Sequence, residues 1–157
     1  MVTARVLVRP ARFDRVDRVK EAVGQPVLPG DDRFWILGDP LVVETGDGAR
    51  IVVPAGYTTD GASVPDWAER LTGWGQWEDP QRMAGIVHDW LYTQKGVTKR
   101  RADDVFRALL DSEGAGWLKR NVMHAAVVVG GGDAYRRSQE RGPWIFPPTS
   151  EPVPDVL

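Results

Sequence analysis

Three polar signatures lie within residues 57–106, each beside a hydrophobic stretch: Tyr57-Thr-Thr-Asp-Gly-Ala-Ser63, His88-Asp-Trp-Leu-Tyr92 and Arg101-Ala-Asp-Asp-Val-Phe106. Together they supply a histidine, several carboxylates and a glycine turn, the inventory of a hydrolytic site. A histidine beside an aspartate serves as general base because its pKa lies near neutrality and the carboxylate fixes its tautomer. His88 is the candidate base, Asp103 its candidate orienting carboxylate and Tyr92 a supporting hydroxyl. Asp60, in its glycine turn, and Asp89 are the candidate ligands for a hard cation such as calcium. Each residue also has a plainer reading. Asp60 closes an Asx turn, Asp103 stabilises a helix N-terminus, and Ser63 caps a helix before Pro65. His124 has no partner motif. Asp133 follows Gly130-Gly-Gly132 without the strand–loop–helix setting of a phosphate loop.

The spacing places the first two of these groups on neighbouring helices. On a wheel of about 100° per residue, Met83, Ile86, Val87, Trp90 and Leu91 share one apolar face, while Gly85, His88, Asp89 and Tyr92 fall opposite. On the next helix Ala102, Val105, Phe106, Leu109 and Leu110 form the stripe. Asp103 sits at its edge and is expected to be partly buried, whereas Asp104 points away. The short Gly96-Val-Thr98 connection makes the two helices antiparallel. At about 1.5 Å per residue, His88 and Asp103 then differ in height by roughly 5 Å, within reach of their side chains.

The elements around that pair divide the chain into a β part and a helical part. Val2 to Val8 reads as a strand ended by Pro10, and Phe34 to Leu37 as a short aromatic strand. Leu41 to Thr45 and Ala49 to Pro54 are β-branched runs joined by Gly46-Asp47-Gly48, a hairpin signal. Gly56 to Ser63 reads as a polar turn. Helices are expected over Pro65 to Leu71, from Pro80 to about Lys95 with Asp79 as N-cap, from Thr98 as cap to about Glu113, and from Trp117 to Val129. Gly130-Gly-Gly132 ends the last of them. Gly142 to Leu157 is proline-rich and reads as an extended tail. The expected architecture is an α+β domain over residues 1–141, a small antiparallel sheet first and three to four helices after it, with a tail at 142–157.

Bulk properties narrow the function. The 157 residues are 42% apolar, enough for one core, and carry a net charge of −2 from 20 basic and 22 acidic residues. No basic tract marks a nucleic-acid footprint. No cysteine is present, so disulfides and thiolate metal sites are excluded. The N-terminus lacks the apolar core of a signal peptide, and the longest apolar run, near Ala125 to Val129, is too short to span a bilayer. Seven tryptophans are a high number for this length. Trp74 and Trp77 flank Gly75 in an expected loop, and Trp144, Ile145 and Phe146 form an apolar anchor between prolines. All five are candidate partner-binding residues.

The succession of residues 54–65, 88–92 and 102–106 resembles a tailed-phage and prophage family of unknown function, domain-of-unknown-function family 1353, over about residues 35–135. That resemblance implies a virion component or virion-associated accessory, in the tail or tail-tip region, binding other particle proteins in an oligomeric assembly. It would reside in the virion, or in the host cytoplasm before assembly or lysis. A more local similarity concerns chemistry. The His-Asp-x-x-Tyr helix followed by an Asp on an antiparallel helix is similar to the secreted phospholipases. It implies His88 as base, Asp103 as its orienting group, Asp89 as a calcium ligand and Tyr92 as a supporting hydroxyl. The disulfides and the glycine-rich calcium loop of those enzymes are not matched. The alternative function is therefore a hydrolase of the host envelope, acting on lipid or peptidoglycan.

Overall fold

A computed structural model describes residues 2–15, 35–59, 66–73 and 81–145. Six strands precede five helices among them, giving the expected α+β order. The strands are β1 (Ala4–Val8), β2 (Phe13–Arg15), β3 (Trp35–Leu37), β4 (Leu41–Thr45), β5 (Arg50–Val53) and β6 (Thr58–Thr59). The helices are α1 (Asp66–Thr72), α2 (Gln81–Thr93), α3 (Lys99–Ser112), α4 (Trp117–Gly130) and α5 (Gly132–Arg141). Asp60, Ser63, Trp74, Trp77, Asp79, Pro80 and Phe146 lie outside the described residues.

The strands form two three-stranded antiparallel sheets, in the orders β1-β4-β5 and β2-β3-β6. The β-branched run of β4 takes the centre of the first sheet, and Leu41, Val42 and Val43 are all buried there. The hairpin forms where Gly46-Asp47-Gly48 required it. Gly48 adopts a φ of 81°, open to glycine at no steric cost. The Asp47 carboxylate accepts from the Thr45 hydroxyl and from the Ala49 N–H, and Arg101 of α3 donates to it at 2.7 Å. The hairpin tip is thereby tied to the helix that carries Asp103.

Two strands were not evident in the sequence, β2 and β6. They are three and two residues long, too short for alternation to show. The stretch from Gly56 onward is more than a polar turn: Tyr57, Thr58 and Thr59 are buried, and β6 pairs with β3. The start of the tail is docked as well. Thr58 donates its N–H to the Trp144 carbonyl at 2.9 Å, and Ile145 bridges to Tyr57.

The helices enclose one core. α2 packs on α3, α5 and β5, α3 also on α4 and β1, and α1 on α4. Met83, Ile86, Val87, Val105, Phe106, Leu109 and Leu110 are almost completely buried. Each large side chain removed from water there stabilises by about 1.5–3 kcal/mol. α3 starts at the expected cap: Thr98 Oγ1 accepts from the Arg101 N–H at 3.2 Å.

The fifth helix, α5, adds to the three or four expected. Glycine lowers helix propensity, so the Gly130–Gly132 run reads as a stop. The chain instead breaks at Gly131 and resumes at Gly132, with Asp133 in the first turn, where it favours the positive helix end. α5 then covers α2: the Gln139 amide donates to the carbonyls of Tyr92 and Gln94.

Candidate active site

The antiparallel α2–α3 pair brings His88, Tyr92 and Asp103 into one hydrogen-bonded cluster. His88 Nε2 lies 2.8 Å from Asp103 Oδ1, and the Tyr92 hydroxyl donates to the same oxygen at 2.8 Å. The other oxygen, Oδ2, accepts from Lys99 Nζ at 2.6 Å. Lys99 stands four residues before Asp103, one turn along α3.

The side of α2 opposite the apolar stripe is not wet. Gly85, Tyr92 and Thr93 are buried, and the His88 side chain is only 12% exposed. The imidazole is flanked by the Tyr92 ring, with centroids 4.1 Å apart, and by the Phe106 ring at 5.0 Å. Removing the imidazole would therefore open a cavity, which the wheel did not suggest. Asp103 is 3% exposed, while the Asp104 side chain is 38% exposed.

Burial and charge set the protonation states. Burial drives the His88 pKa below its ordinary 6.5; Asp103 opposes this and Lys99 adds to it. Burial alone would raise the Asp103 carboxyl, but hydrogen bonds from His88, Lys99 and Tyr92 outweigh it and hold the group below its ordinary 3.8. Burial, followed by the hydrogen bond to Asp103, raises the Tyr92 phenol far above its ordinary range. At neutral pH the site therefore holds a neutral imidazole, an ionised carboxylate and a protonated phenol. An ionised carboxylate can only accept, so His88 carries its proton on Nε2 and donates it to Asp103. Its lone pair is on Nδ1, to which no hydrogen bond is made among the described residues. That is the state a general base requires.

Asp89 points into a different contact. The Tyr57 hydroxyl donates to its Oδ2 at 2.8 Å, which links the first signature to the second. Among the described residues no group of three or more His, Cys, Asp or Glu side chains converges on one point. Asp60, the other candidate cation ligand, lies outside the described residues. Trp144 and Ile145 lie along β6, as described above. His124, on α4, stands 3.9 Å from Asp104.

A surface cavity of about 660 Å³ lies elsewhere, lined by Val2, Arg100, Asp104, Arg107, Asp111 and Arg120 among others. Its charges are largely paired with one another, by Arg120–Asp111 and Arg100–Asp104, and none of the His88 cluster lines it.

Residues 35–127 match the model of a family described as Protein of unknown function (DUF1353). The chain belongs to this family. The matched span runs from β3 to α4 and contains every member of the His88 cluster. No curated protein and no solved structure matches the chain. The DUF1353 description carries no activity, so function has to be argued from the site.

Two contributors escaped the sequence reading. Lys99 had a signal, a lysine four residues before Asp103, but such pairs are common on exposed helix faces. Tyr57 opens the first signature and is 1% exposed. Its partner Asp89 is 32 residues away in sequence, so no local pattern joins them.

Proposed function

We propose that this DUF1353 chain is a hydrolase in which His88 activates water against a carboxylic ester or amide bond of a cell-envelope lipid or polymer. One observation carries the reading. A buried carboxylate takes the Nε2 proton of a nearly buried histidine, which leaves Nδ1 as the basic atom. In the step this implies, Nδ1 takes a proton from water as the water oxygen bonds to the carbonyl carbon. The bond to the leaving group then breaks, and the leaving oxygen or nitrogen takes the proton back from Nδ1. Asp103 stabilises the imidazolium between these events without itself being protonated, a role for which its depressed pKa suits it.

The test is hydrolysis of nitrophenyl butyrate and of a vesicle phospholipid by the purified chain, with calcium and with a chelator. The rate should rise with pH as His88 loses its proton, with a midpoint below the ordinary imidazole value of 6.5, because only the neutral imidazole is a base. A chain inert on every ester, amide and envelope preparation offered would remove the reading.

A second reading, a phage-particle component binding other particle proteins, is favoured by a separate observation. Trp67 and Leu71 on α1 and Trp117 and Leu118 on α4 are 50–70% exposed, and the two helices are in contact. Exposed aromatic and aliphatic side chains on adjoining helices mark interaction surfaces. Replacing Trp67 and Trp117 by serine should abolish association with particle proteins in sedimentation while leaving the melting temperature unchanged. Equal association of wild type and variant would count against it. The two readings are compatible in a particle-borne envelope hydrolase.

A further inference from the structure

We propose that Lys99 is a positioning residue for His88: it grips Asp103 by the outer oxygen and is itself gripped by the carbonyl end of α4. The inference rests on the reading of His88 as a base, and it adds a residue and an electrostatic control to that site.

The geometry is unusually complete for a lysine. Nζ donates to Asp103 Oδ2 at 2.6 Å, to the Val127 carbonyl at 2.8 Å and to the Val128 carbonyl at 3.1 Å. An ammonium has three donors, and all three are used. The side chain is 23% exposed. Val127 and Val128 lie in the last turn of α4, where the helix dipole is negative; the Val127 carbonyl also accepts the Gly131 N–H at 2.9 Å. Lys99 thus joins two negative features, one of which is the carboxylate that holds His88.

Gly131 permits this approach. A Cβ there would stand 2.4 Å from the Val127 carbonyl oxygen, 2.5 Å from the Tyr92 hydroxyl and 3.2 Å from Lys99 Cε. The glycine run between α4 and α5 therefore brings the α4 carbonyls against Lys99 and Tyr92. A phosphate is not needed to account for it.

Two consequences follow for the imidazole. With Oδ2 occupied, Asp103 is fixed so that Oδ1 faces His88 and Tyr92. The nearby ammonium also offsets part of the carboxylate charge that would otherwise favour imidazolium. Lys99 thereby helps keep His88 neutral and competent as a base. The titratable groups that meet in the cluster are His88 and Tyr92 on α2 and Lys99 and Asp103 on α3, with Tyr135 of α5 beside Tyr92 and His124 of α4 within electrostatic reach of Asp103 and Lys99. Among the described residues, only Asp103 and Lys99 act electrostatically on the His88 proton.

The deciding measurement is an NMR titration of the His88 ring in the full chain, for wild type, Lys99→Met, Lys99→Gln and Lys99→Arg. Loss of the cation should shift the His88 titration to higher pH in Lys99→Met and Lys99→Gln. Lys99→Arg, which keeps the charge, should restore the wild-type midpoint. The acid limb of the nitrophenyl butyrate rate should move upward by the same amount, with KM unchanged. Lys99→Gln keeps amide donors for Asp103 and decides the matter if Lys99→Met fails to fold. A His88 midpoint unchanged in folded Lys99→Gln would overturn the proposal, even if the wild type hydrolyses ester. If the wild type hydrolyses nothing, the hydrolytic reading fails, while a shifted midpoint still supports control of His88 by Lys99.

Discussion

His88→Ala is expected to lower ester hydrolysis by about 10²–10⁴-fold, the contribution of a positioned general base. Nothing described near the site can replace it. The closest hydroxyl, Tyr92, is held protonated by burial and by its bond to Asp103. Alanine also removes a ring packed between Tyr92 and Phe106, so the variant should melt at lower temperature. Activity loss alone would therefore be ambiguous. His88→Gln separates the effects, because the amide can still donate to Asp103 and fills most of the space, but it is not a base near neutral pH. His88→Gln should keep a melting temperature close to wild type and still lose the activity. Substantial activity retained in folded His88→Gln would exclude the base.

The meeting of His88 with Asp103 was legible because three local signals agreed. Helical periodicity put both residues on definable faces, Gly96 and Thr98 marked a tight connection, and Thr98 capped α3 as expected. What escaped depended on long-range packing. The face of α2 carrying His88 and Tyr92 looked polar, yet α3 and α5 cover that helix and the network satisfies its polar groups internally. A wheel records which residues share a face, not what lies against it. The α4–α5 joint shows the same limit. Three glycines predict an end, and only the carbonyls, Lys99 and Tyr92 brought together there explain why the chain restarts immediately.

The two short strands belong to this class too. β6 gains its partner β3 from across the hairpin, and its neighbouring segment is held by Trp144 and Ile145 from the far end of the chain. Tyr57, beside β6, then reaches Asp89 on α2. The first signature therefore touches the second through a tyrosine that local pattern gave no reason to select.

Asp103→Asn should both destabilise the fold and disable the site, although it changes one atom. The asparagine amide has one acceptor oxygen, where the carboxylate now offers two. If that oxygen faces His88 and Tyr92, the NH₂ meets the Lys99 ammonium, donor against donor. If the amide is turned, Lys99 is satisfied but NH₂ faces His88 Nε2. The imidazole must then accept there and carry its proton on Nδ1, so the basic atom is lost. Either arrangement leaves the partly buried Lys99 ammonium short of its counter-charge, and breaking a fully buried pair costs about 3–5 kcal/mol. The partial exposure of Lys99 places the expected cost near the lower figure, about 3 kcal/mol.

The pH dependence carries the sign. The folded His88 pKa lies below its ordinary 6.5, so below that value the unfolded chain binds more protons and wild-type stability falls with acidification. The folded Asp103 pKa lies below its ordinary 3.8, so its stabilisation is present above that value and is lost as pH falls through the folded value. Asp103→Asn should remove the second loss and keep the first, since burial alone still disfavours imidazolium. Denaturant melts of both proteins across the two windows test this. Equal stability of wild type and Asp103→Asn above pH 6.5 would mean that the His88–Asp103–Lys99 network does not hold the folded chain together.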